Sequence, residues 1–525
     1  MTGTSRSMTP RPPLGLILIG AVPALLVMLP IGITLVDAVS AGAARMLALL
    51  WRPLVGDLLI NTVSLTVAAA LLCAVIGTTV AILVERTDVP ARPVWAVLAT
   101  APLAVPAFVA SYAWVSISPA LEGFAGALVV TVFAYTPLVY LPVAAALRGL
   151  DPALEDAARA LGDGPLRCLR RVVLPQLRPA ILGGAVLVAL NVLVEFGAFA
   201  LMRFRTFTTE IYAAYRSGFD GAEAAALAMI LLGFCLACLG AEAWLRRPAH
   251  YARIGKGARR RATPYALGRW TVPVAAGLVL LSALALGVPI GTVLFWLTQH
   301  GSAAITPEEA SPIARLNASL STVGLGLGAA LLTLGLALPL AVLSTRWRGF
   351  GLTAPLERGA WLAQGVPGIV IALALITATV QTVPVLYQST LLLLFAYAIL
   401  FMPFALVGMR TALLQSDRRV EEAARSLGAG WAAVLWRVIL PLAAPGFGAA
   451  AALVFIAVST ELTATLLLAP IGTETLATRI WGDTSTLAFA AAAPYAAVLI
   501  ALSMGASWLL ARRFGLTALH AQAGG

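Results

Sequence analysis

Lysine is all but missing from this 525-residue sequence: Lys256 is the only one, and it stands as Gly255-Lys256-Gly257. A P-loop needs its lysine followed by serine or threonine, so the phosphate cradle of an ATPase is not written here. Histidine is scarce too, with His250, His300 and His520 far apart, and no histidine metal site is visible. The four cysteines, Cys73, Cys168, Cys235 and Cys238, make no disulfide framework, since three lie in apolar segments. Cys235-x-x-Cys238 lacks the second pair that a zinc site needs. Charge is equally thin. Only 11% of residues are charged against 60% hydrophobic, too little polar surface to coat a soluble body of this size.

Long apolar runs fill the space. A helix needs roughly 20 apolar residues to cross a bilayer, and such runs lie at about 14–39, 58–84, 94–118, 124–147, 180–201 and 224–245. A second set follows at 271–297, 320–345, 360–383, 388–409, 445–468 and 487–511. The expected fold is all-α and integral to the membrane, with about 12 transmembrane helices. Pro102, Pro106, Pro137, Pro142, Pro339, Pro367 and Pro403 predict kinks inside spans. Gly324, Gly326 and Gly328 lie in an apolar run with no strand before them, which predicts close helix packing and not a nucleotide loop. The stretch from Leu14 to Val36, after Arg6 and Arg11, is longer than a signal peptide's apolar core and is expected to be a retained first helix.

The net charge of +12 does not point to nucleic acid, because the arginines sit in short gaps between apolar runs. With the N-terminus inside, 28 of the 35 basic residues fall in gaps on the inner side, which predicts that both termini are cytoplasmic. The most basic gap, 246–270, contains Arg259-Arg260-Arg261 and divides the chain into six-helix halves at 1–245 and 271–525. As a solvated linker it anchors topology; the alternative is an anionic-lipid or regulatory patch.

The halves repeat. Asp156-Ala157-Ala158-Arg159-Ala160-Leu161-Gly162 matches Glu422-Ala423-Ala424-Arg425-Ser426-Leu427-Gly428, and Leu174-Pro175 matches Leu440-Pro441 in the same register. Glu195 and Glu461 keep that register into the next span. Even numbers of spans give both copies one orientation, related by a pseudo-twofold axis along the membrane normal. Each repeated segment predicts a helix with an acid at its start, a glycine turn, and a second helix that Pro175 or Pro441 stops. In that second helix Leu166, Leu169, Val172 and Val173, and likewise Val434, Leu435, Val438 and Ile439, form an apolar face that wants a groove on a partner. The competing reading is an amphipathic loop lying on lipid.

This spacing resembles the "EAA" loop of ABC import permeases, E-A-A-x3-G-x9-I-x-L-P. The second copy departs from it only at Val438, and the first at Asp156 and Val172. The resemblance implies that Asp156, Ala157, Ala158, Gly162, Leu174 and Pro175, with Glu422, Ala423, Ala424, Gly428, Leu440 and Pro441, dock two copies of a cytoplasmic ATP-binding subunit. It implies that ATP and Mg are held on those partners, that solute comes from an extracytoplasmic binding protein, and that the location is a bacterial inner membrane. Glu195-Phe196-Gly197-Ala198, Phe207-Thr208-Thr209-Glu210-Ile211-Tyr212, Glu461-Leu462-Thr463-Ala464-Thr465-Leu466 and Thr475-Leu476-Ala477-Thr478 are similar to the ferric-iron branch, whose relatives carry thiamine and other small solutes.

Carboxylates inside apolar spans are costly unless they face water or a partner. Glu195 and Glu461, with Asn191 one turn before Glu195, are therefore candidates for the translocation path of a cation. Alternatively the two acids form structural salt bridges with Arg203, Arg205 or Arg479. An ion-coupled secondary transporter also fits two six-helix halves, but it has no use for paired docking loops. A membrane enzyme would need a convergent catalytic cluster, and none is written.

Overall fold

The computed structural model describes residues 12–40, 42–218, 220–245, 264–299, 311–415, 418–510 and 512. Within them the protein is helical, and the single β-bridge pairs Thr87 with Tyr265. Among the described residues ten helices are long and apolar enough to span a bilayer, from Leu14–Ser40 to Phe489–Leu510. Large side chains such as Leu71 and Leu331 stand exposed on them, as lipid-facing residues do.

Two further pairs of helices bring the count to twelve if each pair is one span. They are Arg92–Ala104 with Ala107–Ile117, bent by 90°, and Thr353–Gly365 with Gly368–Thr382, bent by 107°. The residue before a proline is pushed out of the helical region, and Val105 and Val366 adopt extended backbone before Pro106 and Pro367. Both bends are buried: Ala107 to Ala113 and Gly368 to Ala372 are shielded throughout. The other prolines behave differently. Pro137, Pro142, Pro339 and Pro403 lie within helices that run on through them, and Pro102 lies in a 3-10 turn.

Packing divides the chain into two compact units that differ from the sequence halves. One contains residues 41–305 and 480–500; the other contains residues 1–40, 306–479 and 501–525. In the former, Pro53–Arg86 packs against Phe124–Gly149 and Leu174–Val194, and the helical run Gly268–Thr298 joins it from the later half. Phe489 completes it, its ring 5.8 Å from Tyr112 and 5.7 Å from Trp296, while the Tyr112 hydroxyl donates to the Phe489 carbonyl at 2.9 Å.

In the other unit Pro312–Arg346 packs against Thr390–Gln415 and Leu440–Ser459, and the first helix, Leu14–Ser40, lies along Pro312–Arg346. Small residues make the approach possible. A Cβ on Gly326 would meet the Phe455 ring at 2.7 Å, and one on Gly328 would touch Leu394 at 3.4 Å, whereas Gly324 faces open space. The glycine run is thus a packing surface at two of its three positions. The basic gap lies outside the described residues as far as 263, including Arg259-Arg260-Arg261.

Candidate functional site

The repeated segments take one shape. In the first copy the loop helix Pro152–Ala160 is capped by Asp151, whose carboxylate accepts from the Ala153 N–H at 3.0 Å. It ends at Gly162, with φ +89°, where Gly162 N–H donates to Arg159 O and Asp163 N–H reaches back to Ala158 O, both at 3.0 Å. The second loop helix, Arg418–Ser426, ends identically at Gly428, with φ +87° and bonds from Gly428 to Arg425 and from Ala429 to Ala424. This is the glycine-dependent helix stop, because a left-handed residue lets the chain turn back on its last carbonyls.

Beyond the glycine the structure corrects the expected proline stop. The helix does not end at Pro175: Pro165–Val194 is one helical run, and Leu435–Ser459 passes through Pro441 in the same way. A π-turn precedes each proline, at Leu169–Val173 and Leu435–Ile439, with Leu174 N–H bonded to Leu169 O and Leu440 N–H to Leu435 O. The wider turn absorbs the bond that proline cannot donate, so the helix continues into the span. Leu174, Pro175, Leu440 and Pro441 therefore belong to the roots of spans.

The apolar face is only partly offered to a partner. Val173, Val434 and Ile439 are buried in the protein's own core, Leu169, Val172, Leu435 and Val438 are half-buried, and Leu166 is exposed. What stands out is Leu161 and Leu427, each 88% exposed, just before the turning glycine. Leu154 and Val420, seven residues earlier on the same face, are exposed as well. Asp156, Ala157, Glu422 and Ala423 are exposed around this tip, Ala424 is half-buried, and Ala158 faces inward. An apolar tip of this kind costs free energy in water and gains it in a partner's cleft.

The buried acid is the one before the motif. Glu155, 4% exposed, meets the Arg86 guanidinium at 2.9 Å, and Arg86 also donates to Leu147 O at 3.2 Å. In the second copy Glu421 is paired with Arg346, which donates to Leu413 O at 3.1 Å. Arg159 and Arg425 each sit 3.9 Å from those carboxylates, one turn along the loop helix. Each loop helix is thereby tied to the last turn of a long span, Pro53–Arg86 or Pro312–Arg346. Buried charges without partners cost several kcal/mol, roughly, so each pair fixes the angle at which its loop helix stands. Sequence reasoning passed over these four residues, although Glu155 and Glu421 keep the repeat register and both arginines end long apolar runs.

Tyr265 adds a partner to the first copy alone. Its hydroxyl donates to Glu155 Oε2 at 2.8 Å, and the Arg159 guanidinium lies 5.0 Å from its ring. Burial, and then the Glu155 carboxylate beside it, push the phenol above its ordinary range, so its proton stays on and the hydroxyl remains a donor.

Glu195 and Glu461 occupy breaks between helices. The Glu195 carboxylate accepts from Tyr135 Oη–H at 2.6 Å and from the Ala198 N–H at 3.0 Å, capping the short helix Gly197–Leu201. Glu461 accepts from the Ala464 N–H at 3.0 Å at the start of Thr463–Leu468, and a Cβ on Gly368 would lie 3.0 Å from its Oε1. Of the arginines that could bridge to these acids, Arg203 lies 3.5 Å from Glu122 and Arg479 lies 2.7 Å from Glu474. Asn191 donates to Leu187 O at 2.8 Å within its own helix. Among the described residues no group of three or more His, Cys, Asp or Glu is placed to hold a metal ion.

A helical membrane protein with two copies of one loop, each turning on a left-handed glycine and pinned by a buried ion pair, has the construction of a transport permease. The chain belongs to the family of binding-protein-dependent transport system inner membrane components, whose pattern matches residues 74–247 and again 337–515. It is 34% identical to the Fe(3+)-transport system permease protein FbpB 2 of Haemophilus influenzae, over 94% of this chain and 97% of that one. A relative from Sinorhizobium fredii, named a probable ABC transporter permease, is 27% identical over 78% of this chain and 77% of its own. The ferric transport system permease protein FbpB of Actinobacillus pleuropneumoniae is 23% identical, over 73% of this chain and 58% of that one.

Proposed function

We propose that this chain is the membrane permease of an ABC importer for ferric iron, supplied by an extracytoplasmic binding protein and driven by ATP hydrolysis on two partner subunits. The paired loops carry the reading: each offers an exposed leucine beside a turning glycine, on a helix fixed to the end of a long span. Asp156, Ala157 and Gly162, and Glu422, Ala423 and Gly428, surround the two docking tips. Movement imposed there passes through Glu155–Arg86 and Glu421–Arg346 into the spans. ATP and Mg are then held by the partners, and this chain transports without itself being an enzyme.

Both termini and both loops face the cytoplasm of a bacterial inner membrane, as the basic gaps suggest. The cargo is supported by the similarity to the Haemophilus influenzae Fe(3+) permease over nearly the whole chain. Asn191 and Glu195 in the first half, and Glu461 in the second, are the residues that would meet a passing cation, since a carboxylate within an apolar span favours one. The test is uptake of radiolabelled ferric iron into proteoliposomes carrying the chain, its ATP-binding subunit and its binding protein. Uptake is expected only with ATP and both partners, with thiamine failing to compete. Uptake without the ATP-binding subunit would overturn the energy source; thiamine transport in place of iron would overturn the cargo.

A further inference from the structure

The segment joining the halves ends against the first loop. Tyr265 N–H donates to Arg86 O at 2.7 Å, and Asp88 N–H donates to Tyr265 O at 3.1 Å. Leu267 N–H then donates to Asp88 Oδ1 at 2.8 Å, so three bonds hold residues 265–267 along the end of Pro53–Arg86. Held there, the Tyr265 ring spans to the loop helix, where its hydroxyl meets Glu155 Oε2 at 2.8 Å and approaches the Cys168 Sγ at 3.9 Å. Cys168 itself is fully buried beneath the loop helix, 3.9 Å from Glu155 O.

The second copy has no such strap among the described residues. Glu421 has Arg346 and Arg425, and Val434 occupies the place of Cys168. We propose that Tyr265 is a positioning residue that locks residues 265–267, the end of Pro53–Arg86 and the first loop helix into one body, so that removing its hydroxyl loosens the first loop and not the second. A phenol donating to a shielded carboxylate makes a charge-assisted bond that water competes with poorly, so its loss frees the helix to pivot about the Arg86 pair alone. The consequence for transport rests on reading these loops as ATPase docking loops; the stiffening does not. A docking helix transmits motion only as far as its own base is rigid, so a loosened first loop wastes ATP.

The test is amide hydrogen exchange of residues 152–162 and 418–428 in the same membrane-reconstituted sample, comparing the unaltered protein with Tyr265→Phe and Asp88→Ala. Tyr265→Phe keeps the backbone bonds and the ring and removes only the donor. It is expected to speed exchange of 152–162 by about tenfold or more and leave 418–428 unchanged. Asp88→Ala, which loosens the strap away from the loop helix, is expected to give a smaller change in the same direction. Unchanged exchange of 152–162 in both variants, or equal acceleration of both loops, overturns the proposal. ATP consumed per solute moved should rise in Tyr265→Phe. If exchange changes as expected while uptake needs no ATPase subunit, the positioning role stands and the transport reading falls.

Discussion

The two loops are copies in backbone and different in support. Both turn at a left-handed glycine, both present a leucine to solvent, and both rest on a buried carboxylate paired with the arginine that ends a long span. The first loop adds Tyr265 to that carboxylate and laces its tip with Asp163, 3.6 Å from Arg167 and 3.8 Å from Arg171. In the second, Ala429 replaces Asp163 and Ala433 replaces Arg167. The two copies share the turn geometry, and the side chains described around them differ. The exposed tip pairs add little, since solvent screens them, so the difference lies in the buried carboxylate.

That comparison breaks most sharply at the arginines. Arg346→Ala leaves Glu421 with only the more distant Arg425 among the described residues, and is expected to cost about 3–5 kcal/mol of stability. Arg86→Ala leaves Glu155 the Tyr265 hydroxyl as well as Arg159 and is expected to cost less. Thermal unfolding in detergent measures both, and equal losses would show that Tyr265 does not share the charge.

At the tips, Leu161→Asp and Leu427→Asp put a carboxylate where an apolar side chain fits a cleft. Each is expected to weaken ATPase-subunit binding by roughly 2 kcal/mol or more, as loss of a binding hot spot does, with folding unchanged. Pull-down titration with each single variant checks it; unaltered affinity in both would show that the leucines do not dock. Gly162→Ala and Gly428→Ala force a Cβ into left-handed backbone at about 1–2 kcal/mol each. Local hydrogen exchange at 157–162 and 423–428 should rise in both, since both glycines make the same turn.

The smallest structural change tests the path. In Glu195→Gln with Glu461→Gln the amides can still accept from the Ala198 and Ala464 N–H groups, so the short helices keep their caps. Expression should hold while ferric uptake falls several-fold through loss of negative charge. Uptake equal to that of the unaltered protein would leave the carboxylates as caps alone.

Much of this was legible in the sequence because it is local or periodic. The spans follow from apolar length, the repeat from register, and the loop turns from glycine, whose permitted left-handed backbone is a property of the residue itself. The fate of the prolines was not legible. Pro106 and Pro367 break spans, while Pro175 and Pro441 are absorbed by π-turns, and the choice depends on what packs around them. The apolar face after each glycine looked like a partner's binding face, yet Val173 and Ile439 are claimed by the protein's own core. Arg86 and Glu155 are 69 positions apart, a pairing that no spacing rule announces. Tyr265 lay hidden in a gap whose arginines drew attention to topology.

Native mass measurement of the assembled complex tests most directly whether each half docks one ATP-binding subunit through its own loop. Two subunits are expected on the unaltered chain, one on Leu161→Asp, one on Leu427→Asp and none when both are changed. Two subunits retained on the double variant, or one on the unaltered chain, would contradict this docking.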